Sequence, residues 1–247
     1  MKCNQKFNIE GYKNLLIDFK EIGYEFRSFG DFDKQSAHVL LRHDVDYDVG
    51  RALSIAKVEN ELNISSVYHV LIRSKFYNPF DPDVVSKIKE IVGLGHTVGL
   101  HFDAALYESN FDVLQRACAE ECCILEEIVG RKVEDISFHR PAAELLGCDQ
   151  LLSGRRHSYQ PKYFTEIGYC SDSQGRFRYG HPLEHEAVKN RRALQLVLHP
   201  IWWSENEAIS PIERINEFLS QKSTDIKVAM AENSLVYRAY FAKDEAE

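Results

Sequence analysis

The amino-acid sequence predicts an α/β protein with a distorted TIM-like (β/α) barrel of seven or eight mainly parallel strands. Three observations lead to this prediction. Strand-like apolar runs alternate with helical segments along most of the 247 residues. No linker rich in glycine, serine or proline separates them. Ionisable residues follow one strand-like run after another. We therefore expect a single domain over residues 1–247, with a motif-bearing core at about 38–203.

The first half of the chain shows the alternation clearly. Apolar residues at helical spacing predict an opening helix from about residue 8 to residue 25 and another helix over 49–62. Strands are predicted at HVLLRH (38–43) and SSVYHVLI (65–72), because both runs are apolar and rich in β-branched residues. Residues 81–95 predict a further helix, with aspartate and proline near its start and glycines at its end.

The second half continues the pattern. Its strand-like runs are TVGLHF (97–102), EDISFH (134–139), IGYCSD (167–172) and ALQLVLH (193–199). A long helix is predicted over 110–129 and should end at Gly130. Another helix should begin at Ser210 and Pro211, with serine as cap and proline in the first turn. Residues 225–242 favour a helix or a mixture of helix and strand.

Composition limits the classes of partner. The formal net charge of −8 argues against a nucleic-acid backbone or an anionic membrane surface as the main partner. No window approaches the ~18 apolar residues that a bilayer crossing needs, and the first residues lack the pattern of a secretion signal. The six cysteines show no framework spacing. We expect a cytoplasmic protein with reduced thiols that acts on a neutral or weakly charged small molecule.

Ionisable residues at the ends of the predicted strands are the most informative feature. In an α/β barrel the carboxyl ends of the strands meet at one rim, where the loops build the active site. Five strand-like runs would bring nine ionisable residues to this rim: His43, Asp44, Asp46, His101, Asp103, His139, Arg140, Asp172 and His199. So many polar groups are costly in one place unless a metal or a substrate organises them.

The residue types in this cluster point to metal-assisted hydrolysis. Imidazole and carboxylate together suit a divalent metal, with zinc as the first choice and nickel, cobalt or manganese as alternatives. Bound zinc would polarise an acyl carbonyl and lower the pKa of a bound water from ~16 towards ~7. A further carboxylate could take the proton of this water, and a further histidine could protonate a leaving amine. Trp202 and Trp203 could form a sugar-stacking wall, although burial at the rim fits the sequence equally well.

Several of these side chains also have structural alternatives. His43, which ends a strand-like run, and His69, inside one, could be hydrogen-bonded core residues. Asp44 and Asp46 could cap the following helix, because a helix N-terminus favours negative charge. The basic segment GRRHS (154–158) could contact an anionic group, but a solvated loop is the simpler interpretation.

Five motifs in the chain resemble those of the polysaccharide deacetylase superfamily (carbohydrate esterase family four), particularly its HDVD branch associated with surface-polysaccharide biosynthesis. The motifs are LRHDVD, GHTVGLHFD, FHRP, YCSDSQG and LVLHP, and the resemblance runs from about Leu40 to Trp203. It implies a distorted barrel of seven or eight parallel strands. It also implies a metal-dependent hydrolase that removes an N-acetyl group, or else an O-acetyl group, from an amino sugar.

The resemblance assigns catalytic roles to four residues. Asp44 takes the position of the general base, and Arg140 that of the arginine that holds this carboxylate. His199 corresponds to the histidine that acts as general acid. Asp172 corresponds to the acid of the fourth motif, which supports the site.

The resemblance also implies a set of metal ligands. His101 matches the first ligand of the second motif. The family's other ligand position, next to the base, is Val45 in this chain, so the metal role should pass to Asp46. The family has its second ligand histidine where this chain has Ala105, so Asp103 or His139 should supply the third ligand. The expected substrate is a small-molecule amino sugar, nucleotide-linked or lipid-linked.

Two other functions fit the sequence. The alanine at position 105 is compatible with a catalytically inactive sugar-binding module on the same scaffold. A different metal-dependent hydrolysis, such as phosphoester cleavage, would require two metal ions close together.

Overall fold

The computed structural model describes residues 6–205 and 210–244, which form two compact units on either side of residues 206–209. The predicted motif-bearing core, residues 38–203, lies entirely in the first unit. A single domain over the whole chain stays a prediction.

Strands and helices alternate along the first unit. Its strands are β1 (Glu25–Phe26), β2 (His38–Val45), β3 (Val67–Val70), β4 (Thr97–Phe102), β5 (Asp135–Phe138), β6 (Arg156–His157), β7 (Gly168–Ser171) and β8 (Leu194–Leu198). Its α-helices are α1 (Ile9–Glu21), α2 (Val49–Glu61), α3 (Pro82–Gly93), α4 (Phe111–Val129), α5 (Pro161–Phe164) and α6 (Glu186–Lys189).

All strand pairs are parallel, and the sheet curls into an incomplete barrel. The order is β6-β5-β4-β3-β2-β8-β7, and β1 pairs with the first two residues of β2. The predicted distorted TIM-like barrel of seven or eight mainly parallel strands is confirmed. The carboxyl ends of these strands therefore lie at one rim.

The two strands that the sequence does not predict are the two shortest. β1 and β6 have two residues each, too few for an alternating pattern to be recognised. β6 lies inside 154–158, the segment predicted as a loop, and its backbone extends the sheet by pairing with the start of β5. Helix α4 ends as predicted at Gly130, whose φ of 70° lies in the left-handed region that glycine tolerates.

The second unit consists of helices α7 (Pro211–Asn233) and α8 (Leu235–Asp244). Ser210 caps α7 as predicted and forms a capping box with Glu213. Residues 225–242 are helical apart from a break at Ser234, so the alternative of a helix–strand mixture is wrong.

Every helix in the described parts of the chain is too short or too polar to cross a bilayer. The described cysteines are free thiols: Cys118, Cys122, Cys123, Cys148 and Cys170. Cys3 lies outside the described residues.

Strand β2 carries polar side chains on both of its faces. Arg42 and Asp44 project into the barrel and form an ion pair, whereas His43 between them contacts Glu59 of α2 on the outer side. Asp46 is the first residue after β2 and lines the same cavity as Asp44. Both aspartates of HDVD therefore reach the cavity, whereas Val45 between them does not line it.

Glu59 is the centre of a buried hydrogen-bond network on the outer side of β2. Its carboxylate accepts hydrogen bonds from Tyr12 Oη, His43 Nε2 (2.6 Å), Ser66 Oγ (2.6 Å) and Tyr68 Oη (2.8 Å), and His96 Nδ1 lies 3.4 Å away. Burial by itself raises the pKa of Glu59. His43, His96 and the hydroxyl of Ser66 outweigh burial, so the pKa lies below its ordinary value.

We expect Glu59→Ala to lower the free energy of unfolding by about 3–5 kcal/mol, because removing one member of a buried charged network leaves its partners unsatisfied. The lowered pKa sets the pH dependence. The stabilisation is complete above the unfolded-state pKa of about 4.3 and is lost as the pH falls through the lower folded-state pKa. Urea denaturation at pH 7 and at pH 3 measures both effects.

A surface carboxylate two residues away provides the control. The side chain of Glu61 is 61% exposed and pairs with Lys13, so Glu61→Ala should cost less than about 0.5 kcal/mol. Equal losses in the two variants at pH 7 would show that the buried network does not stabilise the fold.

Candidate active site

A cavity of about 340 Å³ opens at the carboxyl ends of the strands, a size suited to a small ligand. Five of the predicted rim residues line it: Asp44, Asp46, His101, His139 and His199. Aromatic side chains form much of the remaining wall: Tyr47, Phe138, Tyr159, Tyr169, Tyr179 and Trp202. The strand ends therefore bring distant parts of the sequence to one cavity.

Asp46, His101 and His139 place three ligand atoms within 4.8 Å of one another. Asp46 Oδ1 lies 3.0 Å from His101 Nε2 and 3.1 Å from His139 Nδ1. Two atoms bound to one tetrahedral zinc ion at about 2.0–2.2 Å are about 3.3–3.6 Å apart, so only a small outward shift separates these spacings from a ligand set. One carboxylate and two imidazoles are also a donor set that zinc accepts. The residues present fit a divalent metal.

Ser137 on β5 fixes which ring nitrogen of His101 carries the proton. The hydroxyl of Ser137 donates to Asp44 Oδ1 (2.9 Å) and accepts the Nδ1 proton of His101 (2.6 Å). The lone pair of His101 is then on Nε2, the nitrogen nearest Asp46, as metal ligation requires. This role of Ser137 was not predicted from the sequence. The signal that identifies it is the strand register, which places Ser137 directly beside His101.

Asp44 lies deeper in the barrel and is held by positive and polar neighbours. Its Oδ2 is 3.3 Å from Arg42 Nη2, and its Oδ1 is 3.6 Å from His69 Nδ1 and 3.9 Å from His101 Nδ1. Burial raises the pKa of Asp44, but Arg42 and the histidines outweigh burial and hold it well below its usual range. Asp44 is therefore ionised at neutral pH.

Arg140 and Asp103 form a pair with each other, which corrects two predictions. Arg140 Nε donates to Asp103 Oδ1 (2.9 Å), and the arginine side chain is 55% exposed. The predicted contact of Arg140 with Asp44 is replaced by that of Arg42. Of the two candidates for the third ligand, His139 joins Asp46 and His101, whereas Asp103 does not.

The end of β4 explains the position of Asp103. The expectation that Asp103 shares the inward side of His101 requires the strand to continue through both residues. β4 ends at Phe102, and a short 3₁₀-helix, Ala104–Leu106, follows at once. Alternation stops there, and Ala105 lies exposed in this turn.

Asp172 holds His199 through hydrogen bonds to its ring and to its backbone, and it also contacts Trp203. Its Oδ1 lies 2.6 Å from His199 Nδ1 and 3.0 Å from the backbone nitrogen of His199, and its Oδ2 accepts the indole N–H of Trp203 (2.8 Å). Burial lowers the pKa of His199, but Asp172, together with the charges of Asp46 and Asp44, outweighs burial and raises it to about 9. His199 Nε2 lies 4.0 Å from Asp46 Oδ2.

The two tryptophans predicted to bind substrate occupy different places. Trp202 lines the cavity. Trp203 is completely buried, with its ring centroid 4.7 Å from that of Phe7 and 5.3 Å from that of Tyr12. The predicted contact of Trp203 with substrate is therefore corrected: its indole supports Asp172 from the core.

Comparisons with known proteins were made by sequence and by structure. No family model and no curated protein matches the chain. Similar solved structures include the Streptococcus pyogenes deacetylase PplD, with 13% identity, a TM-score of 0.43 and coverage of 85% of this chain and 86% of that one. The chitin deacetylase of Colletotrichum lindemuthianum has 15% identity, a TM-score of 0.45 and coverage of 81% and 87%.

A third similar structure is a CE4 family pseudoenzyme from Bacillus anthracis, with 10% identity and a TM-score of 0.41. The match covers 78% of this chain but 63% of the pseudoenzyme chain. CE4 is the carbohydrate esterase family that the five motifs resemble. All three TM-scores lie below 0.5, so the function has to be argued from the side chains of the site.

Proposed function

We propose that this protein is a metal-dependent carbohydrate deacetylase that hydrolyses the N-acetyl group of an amino sugar. One observation carries the proposal: Asp44 and His199 lie next to different members of the ligand trio in one cavity. Asp44 is 3.9 Å from His101, and His199 is 4.0 Å from Asp46. Amide hydrolysis at a metal centre needs a base and an acid near the metal, and this arrangement offers both.

A zinc ion held by Asp46, His101 and His139 would supply Lewis acidity towards the acyl oxygen and towards a water molecule. Nickel, cobalt or manganese would suit the same nitrogen and oxygen donors. Ser137 keeps His101 in the tautomer that ligation requires.

The two proton-transfer groups are held in opposite protonation states. Asp44 is ionised at neutral pH, because its pKa is held well below the usual range, and so it can accept a proton. His199 carries a proton at neutral pH, because its pKa is raised to about 9. Its Nδ1 is bound to Asp172, so Nε2–H is free to donate to the leaving nitrogen. Environments that push two pKa values apart in this way define one base and one acid.

The residues that line the cavity favour a neutral sugar as the part of the substrate that binds there. Lysine and arginine are absent from the described residues that line it. Aromatic faces such as those of Trp202 and Tyr169 can pack against a sugar ring, while the hydroxyls of Ser171 and Ser173 can hydrogen-bond to it. A nucleotide or lipid carrier would keep its phosphates outside this part of the site.

We further propose a cytoplasmic role in surface-polysaccharide or glycoconjugate biosynthesis. The HDVD motif resemblance supports this pathway, and the free thiols of the described cysteines suit a reducing compartment.

A two-metal phosphoesterase, the other hydrolase that fits the sequence, would need a second group of metal ligands. Within residues 6–205 and 210–244, one group of three potential ligands has its ligand atoms within 4.8 Å of one another, and this group is Asp46, His101 and His139. The described residues therefore favour a site for one metal ion.

Acetate release tests the proposal. The zinc-loaded protein is incubated with N-acetylated and O-acetylated amino sugars in free, oligomeric and nucleotide-linked form, and acetate is measured by a coupled assay. We expect release from an N-acetyl sugar, loss of at least about 10³-fold after chelation, and recovery with added zinc. Stoichiometric zinc binding and sugar binding without acetate release would favour the inactive sugar-binding module instead.

A further inference from the structure

We propose that Arg42 is the positioning residue of Asp44 and that it couples this carboxylate to the aromatic wall of the cavity. The inference rests on the proposed function, in which Asp44 is the base. Arg42 precedes Asp44 by two residues on β2, so both side chains point into the barrel. The guanidinium is fully buried, and Asp44 is nearly so.

The contacts of Arg42 reach across the barrel interior. Nη2 lies 3.3 Å from Asp44 Oδ2 and donates to the hydroxyl of Tyr159 at 3.3 Å, and Nη1 donates to Ser158 Oγ. The guanidinium carbon also lies 5.0 Å from the centroid of the Tyr159 ring. Ser158 and Tyr159 follow β6, which is four places from β2 in the strand order. One side chain therefore links the base to a distant part of the cavity wall.

These contacts fix the orientation of the carboxylate. Ser137 holds Oδ1 of Asp44 and Arg42 lies against Oδ2, so each oxygen has its own partner. A guanidinium offers five N–H donors in a rigid planar fork, which allows it to contact Asp44, Ser158 and Tyr159 together. The single ammonium of a lysine cannot reproduce this geometry.

The position of Arg42 is difficult to explain by stability alone. A buried ion pair contributes little net stability compared with apolar side chains of similar volume, because both charges lose their hydration. The arginine that the sequence motifs assign to Asp44, Arg140, pairs with Asp103 at an exposed position. A buried arginine inside the barrel therefore takes over the contact with Asp44.

The test combines kinetics, metal analysis and crystallography on Arg42→Lys and Arg42→Gln in the full-length, zinc-loaded protein. We expect kcat to fall by at least about 100-fold in both variants, because general-base catalysis contributes about 10²–10⁴-fold. Zinc should remain stoichiometric, since the ligand trio is unchanged. In an Asp44→Asn background, adding Arg42→Gln should lower kcat by less than about 3-fold, because the two residues act as a unit. The crystal structure of Arg42→Gln should show Asp44 displaced from Ser137.

Two comparison variants make the outcomes distinguishable. Arg155 forms a half-buried ion pair with Glu126, so Arg155→Gln reports the cost of losing an arginine–carboxylate pair away from the cavity. If Arg42→Gln does not fold, Arg42→Lys is used instead, because it retains the positive charge and removes only the planar set of guanidinium donors. An Asp44 carboxylate that stays on Ser137 in the variant crystals would overturn the inference even if the wild type released no acetate. So would retained turnover in Arg42→Lys combined with loss of turnover in Arg140→Met. If the wild-type protein releases no acetate, the proposed function is refuted. The crystal structure of Arg42→Gln then still decides whether Arg42 positions Asp44.

Discussion

Replacing Asp46 with alanine should abolish stoichiometric zinc binding and reduce acetate release by at least about 10³-fold. Asp46 is the member of the trio that approaches both imidazoles, at 3.0 Å from His101 and 3.1 Å from His139. Without the carboxylate only the two imidazoles remain, so one ligand and the negative charge that attracts the cation are both lost. Metal catalysis supplies several kcal/mol of transition-state stabilisation, and each 1.36 kcal/mol is a factor of about 10 in rate.

Atomic absorption on dialysed protein and the acetate assay measure the two effects. His139→Ala should behave like the Asp46 variant. Asp103→Asn should keep its zinc, because the carboxylate of Asp103 is bound to Arg140 and lies outside the trio. Full zinc occupancy in the His139 variant together with loss of zinc in the Asp103 variant would identify Asp103 as the third ligand and refute the trio.

The sequence was sufficient for the architecture and for the direction in which the key side chains point. Long apolar runs define the strands, and alternation along β2 places Asp44 on the same inward face as Arg42, with Asp46 directly after the end of the strand. Parallel pairing then brings His101 and His199 to the same rim, although they are separated by almost a hundred residues. Each of these steps depends on local pattern and on the general geometry of barrels.

Partners across the barrel could not be predicted in the same way. The contact of Arg42 with Ser158 depends on β6, a strand too short to recognise, and on the curvature that brings it opposite β2. Arg140 and Asp103 lie after the ends of their strands, where alternation no longer predicts orientation. The packing of Trp203 into the core likewise follows from the 3₁₀ turn at Pro200–Trp202.

Replacing His199 with glutamine should lower kcat by about 10²–10⁴-fold, the usual contribution of a positioned general acid, with zinc still bound. Glutamine retains a hydrogen-bond donor but cannot transfer a proton to the leaving nitrogen. His38→Gln, at the start of β2 and away from the cavity, is the matched histidine control and should change kcat less than about 2-fold. A loss as small as that of the control would remove His199 from the reaction.

Asp172→Asn tests the role of His199 as general acid through the pH dependence of kcat. The raised pKa of about 9 keeps His199 protonated at neutral pH, so activity should fall as the pH rises through about 9. Asp172 provides the main contributions that raise this pKa, through its hydrogen bond and its charge. In Asp172→Asn the pKa should therefore fall, and the alkaline loss of kcat should move to lower pH. Trp203→Phe removes one donor to Asp172 while leaving its charge, so its profile should stay close to that of the wild type. An alkaline limb at the same pH in Asp172→Asn and in the wild type would mean that a group other than His199 donates the proton.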